Sequence, residues 1–576
     1  MIIKFCFLML LVIAFTSLSA QNPDTPENYS LEKKLDSIFS SFNSKTPGVA
    51  VAVLQNGKLI AKKAYGMASL EHNAPFTHNT VVRLPYSEGR EFISIAAVIM
   101  EQVGFISLED KVRKYFPQLP SWSEPVTIYD LLNHRSGFVD EWATLLLSQA
   151  SMTNRFDESQ FLDLLYRQPK PEVEPGKGYM YCNSDFGLLR LILEKASGQN
   201  LRQWMKTNMF DSLQMKSSTL HDDKDEVIPG FAPEYFSNGK IYKKWTSDKT
   251  SPGGNYYIAT SVNDLQKWAA AHTDQNSKIA KAVSKLFIKA QLMPGKEKNY
   301  VFGYKVKSLD KYQVFAHQGV SERTYISSVK DKDITVILLA NVMEASSPYH
   351  EMIIAYLLDM KKQTFINKSF KKESVKYSPE KLKAFTGIYI EADTVTYESF
   401  TKKRKEAVEL RIINDSLKIK FGNEIFPLEY ITWGVFKDLD YPVYLEFSKN
   451  KVDSNKLLAH IHHDNKVMEL VKDRSLLWQP KKEELQNFLG KYYSPHLGVY
   501  WTIVMDDKNK LVLKRSAIAD TELNPHINEE FSIRIDKFSE VGFNSSVKFY
   551  VDEKGSVTHL IVHDSRLMGH QFYKIQ

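Results

Sequence analysis

The chain has 576 residues, too long for one ordinary domain and in the range of about two to four. Hydrophobic residues make up 43% and aromatic residues 12%, which excludes a disordered chain. Against 75 lysines and arginines stand 68 acids; the net charge of +7 is spread without a basic block, which excludes a concentrated nucleic-acid-binding face.

Lys4 precedes an apolar run from Phe5 to Phe15, and Leu18-Ser19-Ala20 stands before Gln21. This pattern predicts a signal peptide over residues 1–20, cleaved after Ala20, although Leu18 is larger than usual three residues before a cut. An uncleaved anchor is the alternative, but the run is short for a span, and no later stretch is long and apolar enough for one. Cys6 would leave with the signal, so Cys182 would remain alone and no internal disulfide would form. A bacterial periplasmic or secreted protein is expected.

Leu31, Leu35, Ile38 and Phe42 recur at helical spacing and predict a first amphipathic helix. Val49 to Leu54 and Leu59 to Tyr65 flank Asn56-Gly57 and predict a β-hairpin. From Arg90 to Val103 the chain is apolar on every side, as in a helix buried inside a domain, with Ser87 just before it. Residues 104–300 mix helices with proline-punctuated loops. Strands are expected at Val301–Lys307, Tyr312–His317, Tyr325–Val329 and Ile334–Asn341, and a closing helix at Tyr349–Lys361. The pattern suggests an α/β domain over residues 28–362, its sheet built from both ends of the segment.

A polar linker at 366–378 precedes a change of texture to alternating strands. There the chain repeats itself. Leu382-Lys383-Ala384-Phe385-Thr386-Gly387-Ile388-Tyr389 matches Leu485-Gln486-Asn487-Phe488-Leu489-Gly490-Lys491-Tyr492, and His463-Asp464 echoes His563-Asp564. Each copy continues into a hairpin, one turning at Asn414-Asp415 and the other near Asp507 to Lys510. The copies, 379–475 and 482–576, predict two antiparallel β-barrel-like modules or two halves of one barrel.

Three short motifs stand in order in the first domain: Ser87-Glu88-Gly89-Arg90, Tyr181-Cys182-Asn183 after Glu174-Pro175-Gly176, and His317-Gln318-Gly319. Between them lie Leu131-Leu132-Asn133-His134-Arg135-Ser136-Gly137 and Ser251-Pro252-Gly253-Gly254. This ordered set resembles the β-lactamase-related serine hydrolases, which include class C β-lactamases, D,D-peptidases, D-aminopeptidases and related esterases. Their signature is S-x-x-K, then Y-x-N, then H-x-G or K-T-G. The resemblance covers roughly residues 30–360 and implies a β-lactamase/transpeptidase-like fold: an antiparallel sheet flanked by helices, with a helical region. The two β modules resemble the lipocalin-like modules that follow such domains in some members.

The resemblance implies a set of roles. Ser87 would be the nucleophile, which needs a nearby base to take its proton. Tyr181 would bridge the serine and the leaving group, Asn183 would orient the substrate amide, and His317 and Gly319 would line the site. Backbone N–H groups of Ser87 and Val320 would form the oxyanion hole. The implied chemistry is acyl transfer on an amide, peptide or ester, with a small-molecule or peptide substrate, no cofactor, no metal and no nucleic acid.

One departure is specific. Arg90 stands where the family carries lysine, and arginine cannot act as a base at neutral pH. The approach to Ser87 through Arg83-Leu84-Pro85-Tyr86 is also one residue longer; without that insertion Tyr86 would take the serine's place and Gly89 the lysine's. Arg90 is expected to make a structural ion pair, to anchor an anionic substrate, or to favour the ionised phenol of Tyr181 so that Tyr181 becomes the base. If no base serves Ser87, the alternative is a pseudoenzyme that keeps the pocket to bind a cell-wall-type ligand or a protein partner. Ser87 also suits a helix N-cap and Glu88 the helix N-terminus. His134 and Ser136 are expected to serve loop architecture, and Cys182 to be a small buried hydrophobe. His460 and His462 share a strand face by alternation, without an acidic partner at ligand spacing.

Overall fold

The computed structural model describes residues 26–84, 86–148, 157–223, 226–237, 241–244, 257–291, 300–309, 311–318, 324–342, 347–359, 379–391, 407–421, 424–432, 435–438, 444–449, 457–463, 466–472, 478–515, 518–525, 530–534, 544–564 and 567–575. The segments 1–20 and 366–378, read above as signal and linker, lie outside the described residues, as do Gly319, Val320 and Ser251 to Gly254.

Val49–Gln55 alternates valine with alanine, and each set buries on its own side of a sheet. Val49, Val51 and Val53 pack with Leu31 and Leu35 of the helix Pro26–Ile38 and with Ile353 and Ile354 of the helix Ser347–Leu357. Ala50, Ala52 and Leu54 face the opposite helical layer, which holds Phe92 and Trp268. The strand therefore lies inside a seven-stranded antiparallel sheet, between Ile334–Ala340 and Lys58–Tyr65. Beyond Ile334–Ala340 follow Thr324–Val329, Tyr312–Gln318, Tyr304–Leu309 and Tyr300–Val301. Register runs from Val49 opposite Ala340 to Gln55 opposite Ile334. The Asn56-Gly57 turn has both residues at positive φ, 52° and 71°, the geometry that matches the twist of a two-residue hairpin.

The buried helix spans Tyr86–Gln102, so Ser87 is its second residue and does not precede it. Phe92 stacks on Trp268 of the helix Val262–Ala271 with ring centroids 4.3 Å apart. The strand expected over 301–307 is broken. Phe302 and Gly303, at φ 49° and 92°, turn the chain between Tyr300–Val301 and Tyr304–Leu309. A side chain at Gly303 would put its Cβ 3.1 Å from the Arg90 Cβ, so glycine lets this turn lie directly against the buried helix. The closing helix is Ser347–Leu357, shorter than expected. Among the described residues no helix is long and apolar enough to cross a membrane.

Each sequence repeat closes its own eight-stranded antiparallel barrel, from Gly387–Glu391 to Lys466–Lys472 and from Gly490–Ser494 to Leu567–Lys574. The repeated motif has one physical reading in both copies. Gly387 and Gly490 share φ 141°, and two residues on a tyrosine hydroxyl donates back to a phenylalanine carbonyl: Tyr389 to Phe385 at 2.9 Å, Tyr492 to Phe488 at 2.8 Å. Trp501, Phe531 and Phe572 fill the second barrel; Phe436 and Phe447 lie in the first.

The second barrel shares a continuous apolar core with the first domain. Trp501 Nε1 donates to the Leu147 carbonyl at 3.0 Å, and His496 Nε2 to the Leu164 carbonyl at 3.2 Å. His570 stacks on His496 at 5.0 Å; burial, then the neighbouring His496 and Lys170, push it down to about 3. An unfolded histidine takes a proton near pH 6.5, whereas this one stays neutral while folded. The unfolded state therefore binds more protons as pH falls below 6.5, and stability is lost in that window. His570→Phe is expected to shrink the drop in melting temperature between neutral and mildly acidic buffer; an unchanged drop would remove His570 from this account.

Candidate active site

The site is assembled around the first turns of the helix Tyr86–Gln102. Positions 87 and 90 lie three residues apart and share one helix face. Position 89 faces away: an added Cβ at Gly89 would sit 3.5 Å from Ile258 Cγ1. Arg90, and not Gly89, therefore points toward Tyr181 and Asn183.

Arg90 is 1% exposed, and both of its terminal nitrogens are engaged. Its NH2 donates to Asn183 Oδ1 at 2.6 Å. Its NH1 lies 3.1 Å from His134 Nε2 and 3.4 Å from the Tyr300 hydroxyl. The guanidinium also sits over the rings of Tyr181 and Phe186, 4.5 Å and 4.8 Å from their centroids, a favourable cation–π geometry. Burial works against the charge, but Tyr181, Tyr300 and Asp140 outweigh it and hold the guanidinium above its ordinary value. Arg90 is thus a fixed buried cation.

Two segments hold its partners. Thr127 and Asp130 form a capping box that starts the short helix Ile128–Leu132, and the chain then turns through His134 at φ 55°. Backbone hydrogen bonds tie this loop to the next segment: Gly176 N–H to the Arg135 carbonyl and Met180 N–H to the His134 carbonyl, both 2.9 Å. That pairing brings His134 beside Tyr181, with ring centroids 4.7 Å apart. Asn183 opens the helix Asn183–Ser197; its N–H donates to Asp140 Oδ2 at 2.8 Å, which fixes its side chain toward Arg90.

His134 belongs to the site as well as to the loop. Its Nδ1 is 2.9 Å from Asp185 Oδ2 and its Nε2 3.0 Å from the Tyr300 hydroxyl. The Ser136 hydroxyl donates to Asp185 Oδ1 and accepts from Phe138 N–H at 3.0 Å. Burial pushes the Asp185 carboxyl up, against the pull of Ser136 and Arg90. Burial also raises Tyr300, and it pushes Glu141, next to Asp140, up to about 8. Cys182 is buried, its thiol raised by desolvation, as a structural cysteine would be.

The structure thus brings Arg90, Tyr181 and Asn183 together one helical turn after Ser87. Position 317 lies on Tyr312–Gln318, paired with Ile326. Tyr300 and the partnership of His134 with Asp185 carry no motif in the sequence. Tyr300 stands 210 residues from Arg90, and only the Phe302-Gly303 turn signals that the chain comes close there. In the first repeat His460 pairs with Glu469 across the strands at 3.2 Å.

Comparison with known proteins agrees with this architecture. The beta-lactamase family model matches residues 35–359. A D-aminopeptidase of Cereibacter sphaeroides is 26% identical over 330 residues, covering 54% of this chain and 59% of the relative. Penicillin-binding protein 4* of Bacillus subtilis is 24% identical over 346 residues, covering 56% and 74%. The chain spans less than two thirds of the length of the D-aminopeptidases it matches. Among solved structures, a penicillin-binding protein homologue from Pyrococcus abyssi superposes with a TM-score of 0.52 at 20% identity, over 77% of this chain and 99% of that one.

Proposed function

This chain belongs to the beta-lactamase family, and from that premise we propose that it is a serine hydrolase that cleaves an amide or peptide bond through Ser87. The observation that carries the reading is the convergence of Arg90, Tyr181 and Asn183 on the helix that bears Ser87. In this reading Ser87 forms the acyl-enzyme, Tyr181 handles the proton beside the fixed charge of Arg90, and Asn183 faces the substrate amide. Position 317 and the N–H groups of Ser87 and Val320 complete the pocket. The D-aminopeptidases among the relatives support amides and short peptides of D-amino acids as the first substrates to try. The signal-like segment 1–20 supports delivery outside the cytoplasm.

One observation favours a second reading, a binding protein on the same scaffold. Asn183 Oδ1 is already engaged by Arg90 at 2.6 Å, and its Nδ2 lies 3.4 Å from Asp140 Oδ1. A side chain so occupied offers less to a substrate. The two readings part on a turnover assay. The enzyme is expected to release ammonia or amine from a panel of D-amino-acid amides and D-terminal dipeptides, and Ser87→Ala to release none. Saturable binding of the same panel without release, unchanged in Ser87→Ala, would establish the binding protein instead.

A further inference from the structure

We propose that the free end of the second barrel is a binding site for the zwitterion of an apolar α-amino acid, held by Lys510 and Glu522 over an aromatic floor. The proposal does not rest on the reading of Ser87 as nucleophile.

The site follows from how the two ends of this barrel are closed. At one end Trp501 and His496 reach the first domain through the Leu147 and Leu164 carbonyls. Val499–Met505 runs from that end to the other, where the turn 506–510 leads into Leu511–Arg515. The interior is packed, so the space lies at the mouth. A cavity of about 340 Å³ is bounded there by Trp478, Leu485, Leu511, Leu523 and Phe531 on its apolar side. Trp478 comes from outside the barrel, ahead of its first strand, and meets Phe531 edge-on with ring centroids 5.0 Å apart. Phe488 and Phe549 pack behind, 5.5 Å and 5.6 Å from Phe531. A cleft of this size, mostly apolar with a few polar groups, is the usual form of a small-molecule site.

The rim carries the charges. Among the described residues that line the cavity, Lys510 is the one cation and Glu522 the one acid. Lys510 Nζ donates to Glu522 Oε1 at 2.5 Å. The two side chains are 49% and 39% exposed, and an ion pair so open to water contributes little to stability. The pair can therefore open around a guest that offers both charges. An α-carboxylate on Lys510 and an α-ammonium on Glu522 replace one ion pair by two, each a charge-assisted hydrogen bond. The side chain of the amino acid then lies on Trp478 and Phe531. Lys510 sits at the end of a fixed turn, because Asp506 Oδ1 accepts from the Lys508 and Lys510 N–H groups at 2.9 Å and 2.8 Å.

The first barrel serves as an internal control. It has the same aromatic plug, with Phe385 5.3 Å from Phe436 and 4.6 Å from Phe447. Register matches the copies position by position: Met505 faces Leu511 as Ile412 faces Leu417, and Glu522 faces Val512 as Pro427 faces Lys418. Ser416 therefore stands at the place of Lys510 and Pro427 at that of Glu522. Serine and proline cannot form an ion pair. The charged rim belongs to the second copy alone, so closing the barrel does not account for it.

Calorimetric titration of the full chain tests the proposal, with each enantiomer of phenylalanine as the probe. Saturable binding of at least one enantiomer is expected, weakened about tenfold or more by Lys510→Ser and by Glu522→Gln. N-acetylphenylalanine, which lacks the ammonium, and phenethylamine, which lacks the carboxylate, should lose about as much. Both substitutions fall on exposed side chains and should leave the unfolding midpoint in place. Hydrogen exchange of the native chain gives an independent readout: phenylalanine should slow exchange in the turn 506–510 and in Ile518–Pro525. No saturable binding up to about 10 mM, or binding that either variant keeps, overturns the proposal. A derivative that binds as well as phenylalanine would make the cavity a plain apolar cleft and overturn it too. The turnover assay decides the Ser87 reading separately, since Lys510 and Glu522 take no part in that site.

Discussion

Replacing Arg90 with alanine is expected to destabilise the first domain by about 3–5 kcal/mol. The magnitude comes from what is left behind. Arg90 is 1% exposed and donates to Asn183, with His134 and Tyr300 at its other nitrogen. Its removal leaves Asp140 and Asp185 without the buried cation that opposes their charge. It also opens a void beneath the Tyr181 and Phe186 rings. Arg90→Lys should cost less, since the charge remains, but an ammonium cannot fork to two partners and stack at once. Urea unfolding of the three proteins checks the order: native most stable, lysine intermediate, alanine least. An alanine variant as stable as the native chain would contradict the reading of Arg90 as the organising cation of the site.

Trp501→Ala is expected to cost a similar amount, about 3–5 kcal/mol, but in a different place. Trp501 is fully buried, stacks on Phe572 with centroids 4.2 Å apart, and donates from Nε1 to the Leu147 carbonyl. One side chain thus fills the second barrel and ties it to the helix Glu141–Leu147. Truncation removes the packing and the hydrogen bond together. Hydrogen exchange should quicken in the strands around Trp501 and at the end of that helix. The first barrel has its own separate core and should keep its protection. Faster exchange confined to the barrel, with the helix unaffected, would show that Trp501 does not hold the two parts together.

Much of the fold was legible because local rules and tertiary structure agree. Asn56-Gly57 between two apolar runs can hardly be anything but a tight hairpin, and the apolar run after Arg90 can only be buried. The repeated Leu-x-x-Phe-x-Gly-x-Tyr pattern named two equivalent modules, and the tyrosine-to-phenylalanine carbonyl bond explains why those residues recur. Whether the repeats made one barrel or two was not legible, since closure depends on which strands meet at the ends.

The site was legible only in its motifs. Tyr181 and Asn183 lie two residues apart in sequence and appear together in the structure. The other groups that give Arg90 its setting are His134, a loop residue in a left-handed conformation, Asp185, in the first turn of the helix that Asn183 opens, and Tyr300, on the edge strand of the sheet. No periodicity links these positions; the pairing of the His134 loop with Met180 and the packing of the Phe302-Gly303 turn against the buried helix do. For Arg90 the sequence left three roles open, a structural ion pair, a substrate anchor or an activator of Tyr181, because a lone arginine says nothing about the histidine and tyrosine that surround it.

The proposal that most needs a direct test is that Ser87 is a working nucleophile with an arginine, Arg90, three residues on. The direct measurement is the intact mass of the protein after reaction with a fluorophosphonate, followed by mapping of the modified peptide. The account predicts one adduct, on Ser87, absent from Ser87→Ala. A native protein that stays folded and takes no adduct, or takes one at another residue, would contradict it.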